Sequence, residues 1–132
     1  MKDKYIFPCI IKFEKDIYYV RFPDIEEAFT DAEDLSEAFI NAKDVLGLVL
    51  YNREKENIDI PNPTKKFINT EQNESVAYIE VYMPLYRDMI EQKSIKKTLT
   101  IPKWLNDLGV ENNLNFSQIL QVGIKNSLGI KR

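Results

Sequence analysis

The chain has 132 residues, 44% hydrophobic and 30% charged, a composition that suits one ordinary domain or two small ones and excludes long disorder. Its longest apolar run, residues 45–51, is far too short to cross a membrane, and 6–11 is too short for a signal-peptide core, so a cytoplasmic protein with no membrane association is expected. The net charge of −3 is unevenly divided: residues 1–92 carry 11 basic and 19 acidic side chains, a net of −8, and residues 93–132 carry 7 and 2, a net of +5. An acidic body with a basic tail implies two partners of opposite sign: a basic protein for the body and nucleic acid for the tail.

Taken in chain order, residues 5–13 and 17–22 are β-favouring apolar runs joined by Glu14-Lys15-Asp16, the pattern of a hairpin. Pro23-Asp24 ends the second run, and a third short strand is expected over 28–32. Leu35, Ala38, Phe39, Ala42, Val45, Leu46, Val49 and Leu50 then trace one helical stripe, with Asp34 and Glu37 as a capping box. This helix should run to about residue 56, tolerating Gly47. A rigid Ile60-Pro61-Asn62-Pro63 loop leads to a fourth strand over 75–83, with Ala77, Ile79 and Val81 on one face. Residues 84–93 then connect to the tail.

The tail opens on alternation. Lys97, Leu99 and Ile101 fall on one face of a strand over 96–101, and Lys96, Thr98 and Thr100 on the other. A lone strand cannot satisfy its own backbone, so it needs a partner, and the same strand of a second copy suits it. Such a two-stranded ribbon fits the DNA major groove. Pro102 starts a helix carrying Trp104, Leu105 and Leu108, followed by Gly109 and an Asn112-Asn113 turn. Asn115 is a natural N-cap for a second helix, with Phe116, Ile119, Leu120, Ile124 and Leu128 at helical spacing and Gly129 as its C-terminal glycine. The amides near Phe116 and Ser117 form a phosphate anchor at the positive helix end. A plain helical hairpin and a helix-turn-helix reader are the competing readings. Against the latter, the second helix lacks a run of base-reading side chains at its start.

With IPKWLNDL and NFSQILQ at the starts of its two helices, residues 94–130 resemble the ribbon-helix-helix DNA-binding domain. The resemblance implies that Lys96, Thr98 and Thr100 read bases while Asn115, Phe116 and Ser117 hold the DNA backbone. The body, with its Tyr-Tyr-Val strand, FPDI, FTDAEDLSEAFINAKDVL and proline-rich exit, resembles the N-terminal domain of the HicB antitoxin family. One departure is visible, Glu26-Glu27-Ala28 standing where that family often has Pro-Gly-Cys.

The expected fold is therefore α+β. A small antiparallel sheet with one main helix, in the order β-β-β-α-β and partially ribonuclease-H-like, is followed by a ribbon-helix-helix domain. The implied division is a toxin-binding domain over 1–84, a linker over 85–93 and a DNA-binding, dimerising domain over 94–132.

Catalysis finds little support in the residues. Ribonuclease-H chemistry needs several carboxylates around two Mg²⁺ ions, yet residues 5–13 hold no acid, Glu80 has no strand partner, and Glu37 and Asp44 belong to the helix's solvent side. With no histidine there is no imidazole base, and Cys9, the single cysteine, has no activating partner and forms no internal disulfide. Neither cofactor nor metal is expected. The resemblance implies an antitoxin of a type II toxin–antitoxin pair that neutralises a HicA-like mRNA-cleaving toxin and represses its own operon as a homodimer or homotetramer on operator DNA. Asp24, Glu26, Glu27, Asp31 and Glu33 are the acids expected to meet the toxin's cations. The alternative is an orphan ribbon-helix-helix regulator whose body binds another protein or a ligand. A divergent nuclease is a third reading.

Overall fold

The computed structural model describes residues 2–130, which form two compact units divided between Ser94 and Ile95. In the first unit, β1 (Lys4–Glu14), β2 (Ile17–Phe22), β3 (Ile25–Ala32) and β4 (Glu74–Tyr82) make one antiparallel sheet in the order β3-β2-β1-β4. The β1–β2 hairpin closes through Lys15 and Asp16, both at positive φ (51° and 63°), as a two-residue primed turn requires. Pro8 sits within β1 where β4 pairs on one side but β2 does not reach, since the β1–β2 register begins at Ile10. The missing proline N–H therefore breaks no ladder.

Helix α1 (Leu35–Lys55) covers one face of the sheet. Asp34 Oδ1 accepts from the Glu37 amide at 2.7 Å, so the side-chain cap expected at this helix start is formed. Ala38, Ala42, Leu46 and Leu50 lie buried with Phe7, Cys9, Val20, Phe22, Ile25 and Val81, the two alanines leaving room for close helix–sheet approach. Burial pushes the Cys9 thiol up to about 11, as a thiolate is disfavoured in apolar surroundings.

Two expectations need correction here. The anticipated stripe on α1 includes Leu35 and Phe39, but these are 48% and 41% exposed, while Gly47, outside the stripe, is buried. Gly47 is buried by α2 (Met83–Ile90), which occupies most of the stretch expected as the linker 85–93. Pro84 reads as a helix breaker, yet within a first turn proline is tolerated because the amide it lacks has no intrahelical acceptor there. Met83 and Tyr86 are buried, and the Tyr86 ring lies against Gly47 so closely that a Cβ there would stand 2.6 Å from two of its carbons. Arg87 fastens the same helix, giving Glu54 a bidentate pair at 3.0 and 2.8 Å and reaching Asp3 at 3.0 Å and the Lys2 carbonyl at 2.7 Å. Its pKa is raised, first by the bond to Glu54.

The second unit contains α3 (Lys103–Glu111) and α4 (Phe116–Leu128). The strand expected over 96–101 is absent from the single chain: no strand is assigned among the described residues of this unit. A strand exists through its hydrogen-bonded neighbour, and one copy supplies none.

Packing at Gly47 generates a coupled prediction. Gly47→Ala gains roughly 1 kcal/mol of helix propensity but overpacks Tyr86, so a net loss of about 1–2 kcal/mol is expected in urea unfolding. In a Tyr86→Ala background the same change should become neutral or stabilising, which a double-mutant cycle reads directly.

Candidate nucleic-acid interface and partner surface

In the second unit, the loop between the helices is built to aim the start of α4. Asn112 Nδ2 donates to the Leu108 carbonyl at 2.7 Å, Asn113 takes a positive φ of 57°, and the Leu114 amide returns to Gly109 O at 3.0 Å. The Phe116 ring lies on Gly109, where a Cβ would meet it at 2.5 Å. Phe116 thus locks α3 to α4 through its side chain, leaving only its backbone amide for an anion. Asn115 Oδ1 accepts from the Gln118 amide at 3.0 Å, and the Asn115 carbonyl accepts from Ile119. These bonds satisfy two donors of the first turn and leave the Phe116 and Ser117 amides as its outward ones. Ser117 Oγ accepts from Gln121 Nε2 at 3.3 Å and keeps its own proton to donate. The structure thus gathers Asn115, Phe116 and Ser117 at one helix end. Lys96, Thr98 and Thr100 lie together, exposed, in the irregular segment before α3.

Gly109 is the only buried residue among the described ones of this unit; Trp104, Leu105, Leu108, Ile119, Val122, Ile124 and Leu128 are all 45% or more exposed. Two short helices that leave about half of their apolar side-chain surface in water bury little to offset the entropy of ordering.

On the body, the five acids expected at a partner surface separate by role. Asp24 is consumed internally, accepting from the Thr64 amide at 2.9 Å and from the Thr64 hydroxyl. Glu27 holds Arg53 through two bonds of 2.8 and 2.7 Å, while Arg53 Nη1 donates to the Asp59 carbonyl at 2.9 Å. These two acids anchor the 57–64 loop to the sheet. Glu26, Asp31 and Glu33 present exposed side chains. What the sequence reading missed is the apolar company they keep. Phe29, 66% exposed, shares a strand face with Asp31, and Tyr19, 44% exposed, stands opposite Asp31 in the register. The alternation of 25–32 is broken by the shift at Arg21/Phe22, so a simple two-residue period does not single Phe29 out. Among the described residues, no group of three or more Asp, Glu or Cys side chains is placed to hold a metal ion, and no helix is long and apolar enough to cross a membrane.

No family model and no curated protein matches the chain. Solved structures do. A chain of a toxin–antitoxin complex from Streptococcus pneumoniae aligns at 28% identity over 94% of this chain and 99% of its own, with a TM-score of 0.56. An antitoxin HicB3 crystal structure aligns at 22% identity over 89% and 93% of the two chains, with a TM-score of 0.52. The chain has the fold of a HicB antitoxin. A HicA3 and HicB3 toxin–antitoxin complex also matches, at 20% identity and a TM-score of 0.50, over 58% of this chain and 98% of that one. The first alignment spans nearly the whole chain and so takes in residues of both units.

The Glu27–Arg53 pair sets an acid limb for this HicB-like body. Hydrogen bonding to Arg53 holds the Glu27 carboxyl at about 2, below its ordinary 4.5. A depressed folded-state pKa contributes stability that is present above 4.5 and lost as pH falls toward 2. Wild-type stability should therefore decline across that window, and Glu27→Gln should flatten the decline. Chemical denaturation from pH 6 to 2 reads it, and equal slopes for the two proteins would show the pair to be screened out.

Proposed function

We propose that this chain is the antitoxin of a type II toxin–antitoxin pair. Its body binds and neutralises a HicA-like mRNA-cleaving toxin, and its tail represses the operon by binding operator DNA. The observation that carries this reading is the near end-to-end match to a chain of a toxin–antitoxin complex at 28% identity. The body works as a binding surface and not as an enzyme. Glu26, Asp31 and Glu33 steer a cationic partner, and Phe29 and Tyr19 supply apolar contact beside them.

For the tail, the unburied faces of α3 and α4 and the unpaired segment 96–101 support a dimer in which two such segments form a ribbon. Pairing puts Thr98 and Thr100 on the outward face with Lys96. Threonine hydroxyls and methyls suit base edges and thymine methyls, and Lys96 suits guanine or phosphate. The α4 start, with the Phe116 and Ser117 amides and the Ser117 hydroxyl, holds the DNA backbone.

Replacing Thr98 or Thr100 with Ala should cost roughly 1–3 kcal/mol on the cognate operator and relax sequence preference. Ser117→Ala should weaken binding to all sequences alike. Fluorescence titration on operator and scrambled DNA separates the two, and unchanged binding in all three variants would sink the ribbon reading. On the body, changing Glu26, Asp31 and Glu33 together to Lys should slow association with a HicA-like toxin about 10-fold or more at low salt. Operator affinity should not change. Stopped-flow mixing reads the rate, and an unaffected rate would place the toxin elsewhere.

A further inference from the structure

The sheet holds β1 unevenly. Its pairing with β2 runs only from Ile10↔Arg21 to Glu14↔Ile17, whereas its pairing with β4 runs from Lys4↔Tyr82 to Lys12↔Glu74. Alternation then fixes which groups of the first half lie open. Glu14 and Ile17 close a two-residue hairpin, so Glu14, Lys12 and Ile10 turn their backbone groups toward β2. Odd-numbered residues turn toward β4: the Phe13 amide donates to Asn73 O at 3.0 Å, and the Asp3 carbonyl accepts from the Met83 amide at 2.6 Å. Lys4 and Ile6 therefore aim N–H and C=O at the side that β2 never reaches. Among the described residues, no backbone hydrogen bond from outside the sheet meets either of them.

A cavity of about 330 Å³ occupies this place, with Tyr5 and Ile6 on one wall and Ile60, Pro61 and Pro63 on the other. The loop forming the second wall is fastened by the Thr64–Asp24 and Arg53–Asp59 bonds, at 2.9 Å each. Its two prolines have no amide to give, so it bounds the slot without completing the ladder. The mouth is cationic, since Lys2 and Lys4 line it. The acids around it are already held: Asp3 and Glu54 by Arg87 at 3.0 and 2.8 Å, and Glu80 by Lys4 at 3.4 Å. Lys2 has no carboxylate partner among the described residues, and its ammonium lies 5.5 Å from the centroid of the Tyr5 ring. Exposed Lys65 and Lys66 follow the proline wall.

We infer that this slot takes a short, extended, acidic peptide of another protein, which adds as a strand beside Lys4 and Ile6. An unpaired stretch of strand is a template for such addition. The peptide's main chain exchanges bonds with Ile6, its apolar side chains meet Tyr5 and Ile60, and its carboxylates meet Lys2. Charge selects this occupant: in a body that is acidic as a whole, the free cation at the slot repels a basic partner and attracts an acidic one. The site is separate from the surface of Glu26, Asp31 and Glu33 and does not rest on the antitoxin reading.

Fluorescence anisotropy on the full-length protein tests it, with fluorescein-labelled Glu-Val-Glu-Val-Glu and Lys-Val-Lys-Val-Lys as probes. The acidic probe should bind roughly 10-fold or more tighter than the basic one, and Lys2→Glu should erase the difference. N-methylation throughout removes the probe's donors and should abolish binding. Ile6→Pro does the same from the protein's side. Pro8 already stands in β1 with its nitrogen toward the slot side, so the circular dichroism spectrum should persist while binding is lost. Amide exchange followed by NMR should show the Ile6 N–H unprotected in the free protein and slowed about 10-fold or more by the acidic probe. The inference is overturned by an acidic probe that fails to bind below about 1 mM, or that binds Ile6→Pro as well as wild type. An unchanged Ile6 exchange rate overturns it too. Displacement of the probe by acetate, where equal chloride has no effect, assigns the cavity to a small anion and overturns it equally. Should Ile6→Pro fold poorly, the N-methylated probe decides: binding as tight as that of the parent peptide rejects strand addition.

Discussion

Backbone pairing is the constraint on which this molecule depends. Every N–H and C=O taken from water needs a partner, and the chain meets that demand in its body through a four-stranded sheet, with β1 held on both sides along its second half. Burying one face under α1 then fixes the register, because a slip of one residue would turn Phe7, Cys9 and Ile11 outward. At the segment before α3 and along the outer edge of β4, the backbone groups that no strand pairs face water instead.

Much of the fold was legible because local patterns and tertiary structure agree. The hairpin, the stripe of Ala38, Ala42, Leu46 and Leu50, the Asp34 and Asn115 caps and the left-handed Gly129 (φ 72°) are all short-range features. What failed was long-range. Helix α2 was hidden by Pro84, and its docking is written in Gly47, some forty positions earlier. The buried line on α1 runs through Ala38, Ala42, Leu46 and Leu50, which leaves Leu35 and Phe39 beside it half exposed. An alternating pattern over 96–101 was legible, but no strand forms there in the single chain, which offers the segment no hydrogen-bonded neighbour.

The candidate surfaces divide along the same line. At α4 the Asn115 cap and the first-turn amides are set within a few residues, so sequence reasoning reached them, but the seat of Phe116 on Gly109 it did not reach. Among the five body acids it could not separate anchors from surface groups, because Asp24 meets Thr64 across 40 residues and Glu27 meets Arg53 across 26. Carboxylates of one type, on neighbouring positions, thus serve opposite ends: two tie a loop down while Glu26, Asp31 and Glu33 face water. The charge asymmetry survives this sorting. With the boundary at Ser94, the first unit holds 12 basic and 19 acidic residues, a net of −7, and the second 6 and 2, a net of +4.

Cys9 lies at the centre of this arrangement, wholly buried between the sheet and α1, with its thiol held near 11. Only the thiolate reacts with alkylating agents, so at neutral pH this sulfur is shielded twice, by access and by protonation. It becomes reactive when the helix lifts from the sheet. The chain thus carries its own gauge of breathing: the labelling rate of a single native atom measures how often the body opens, with no probe added and no residue changed.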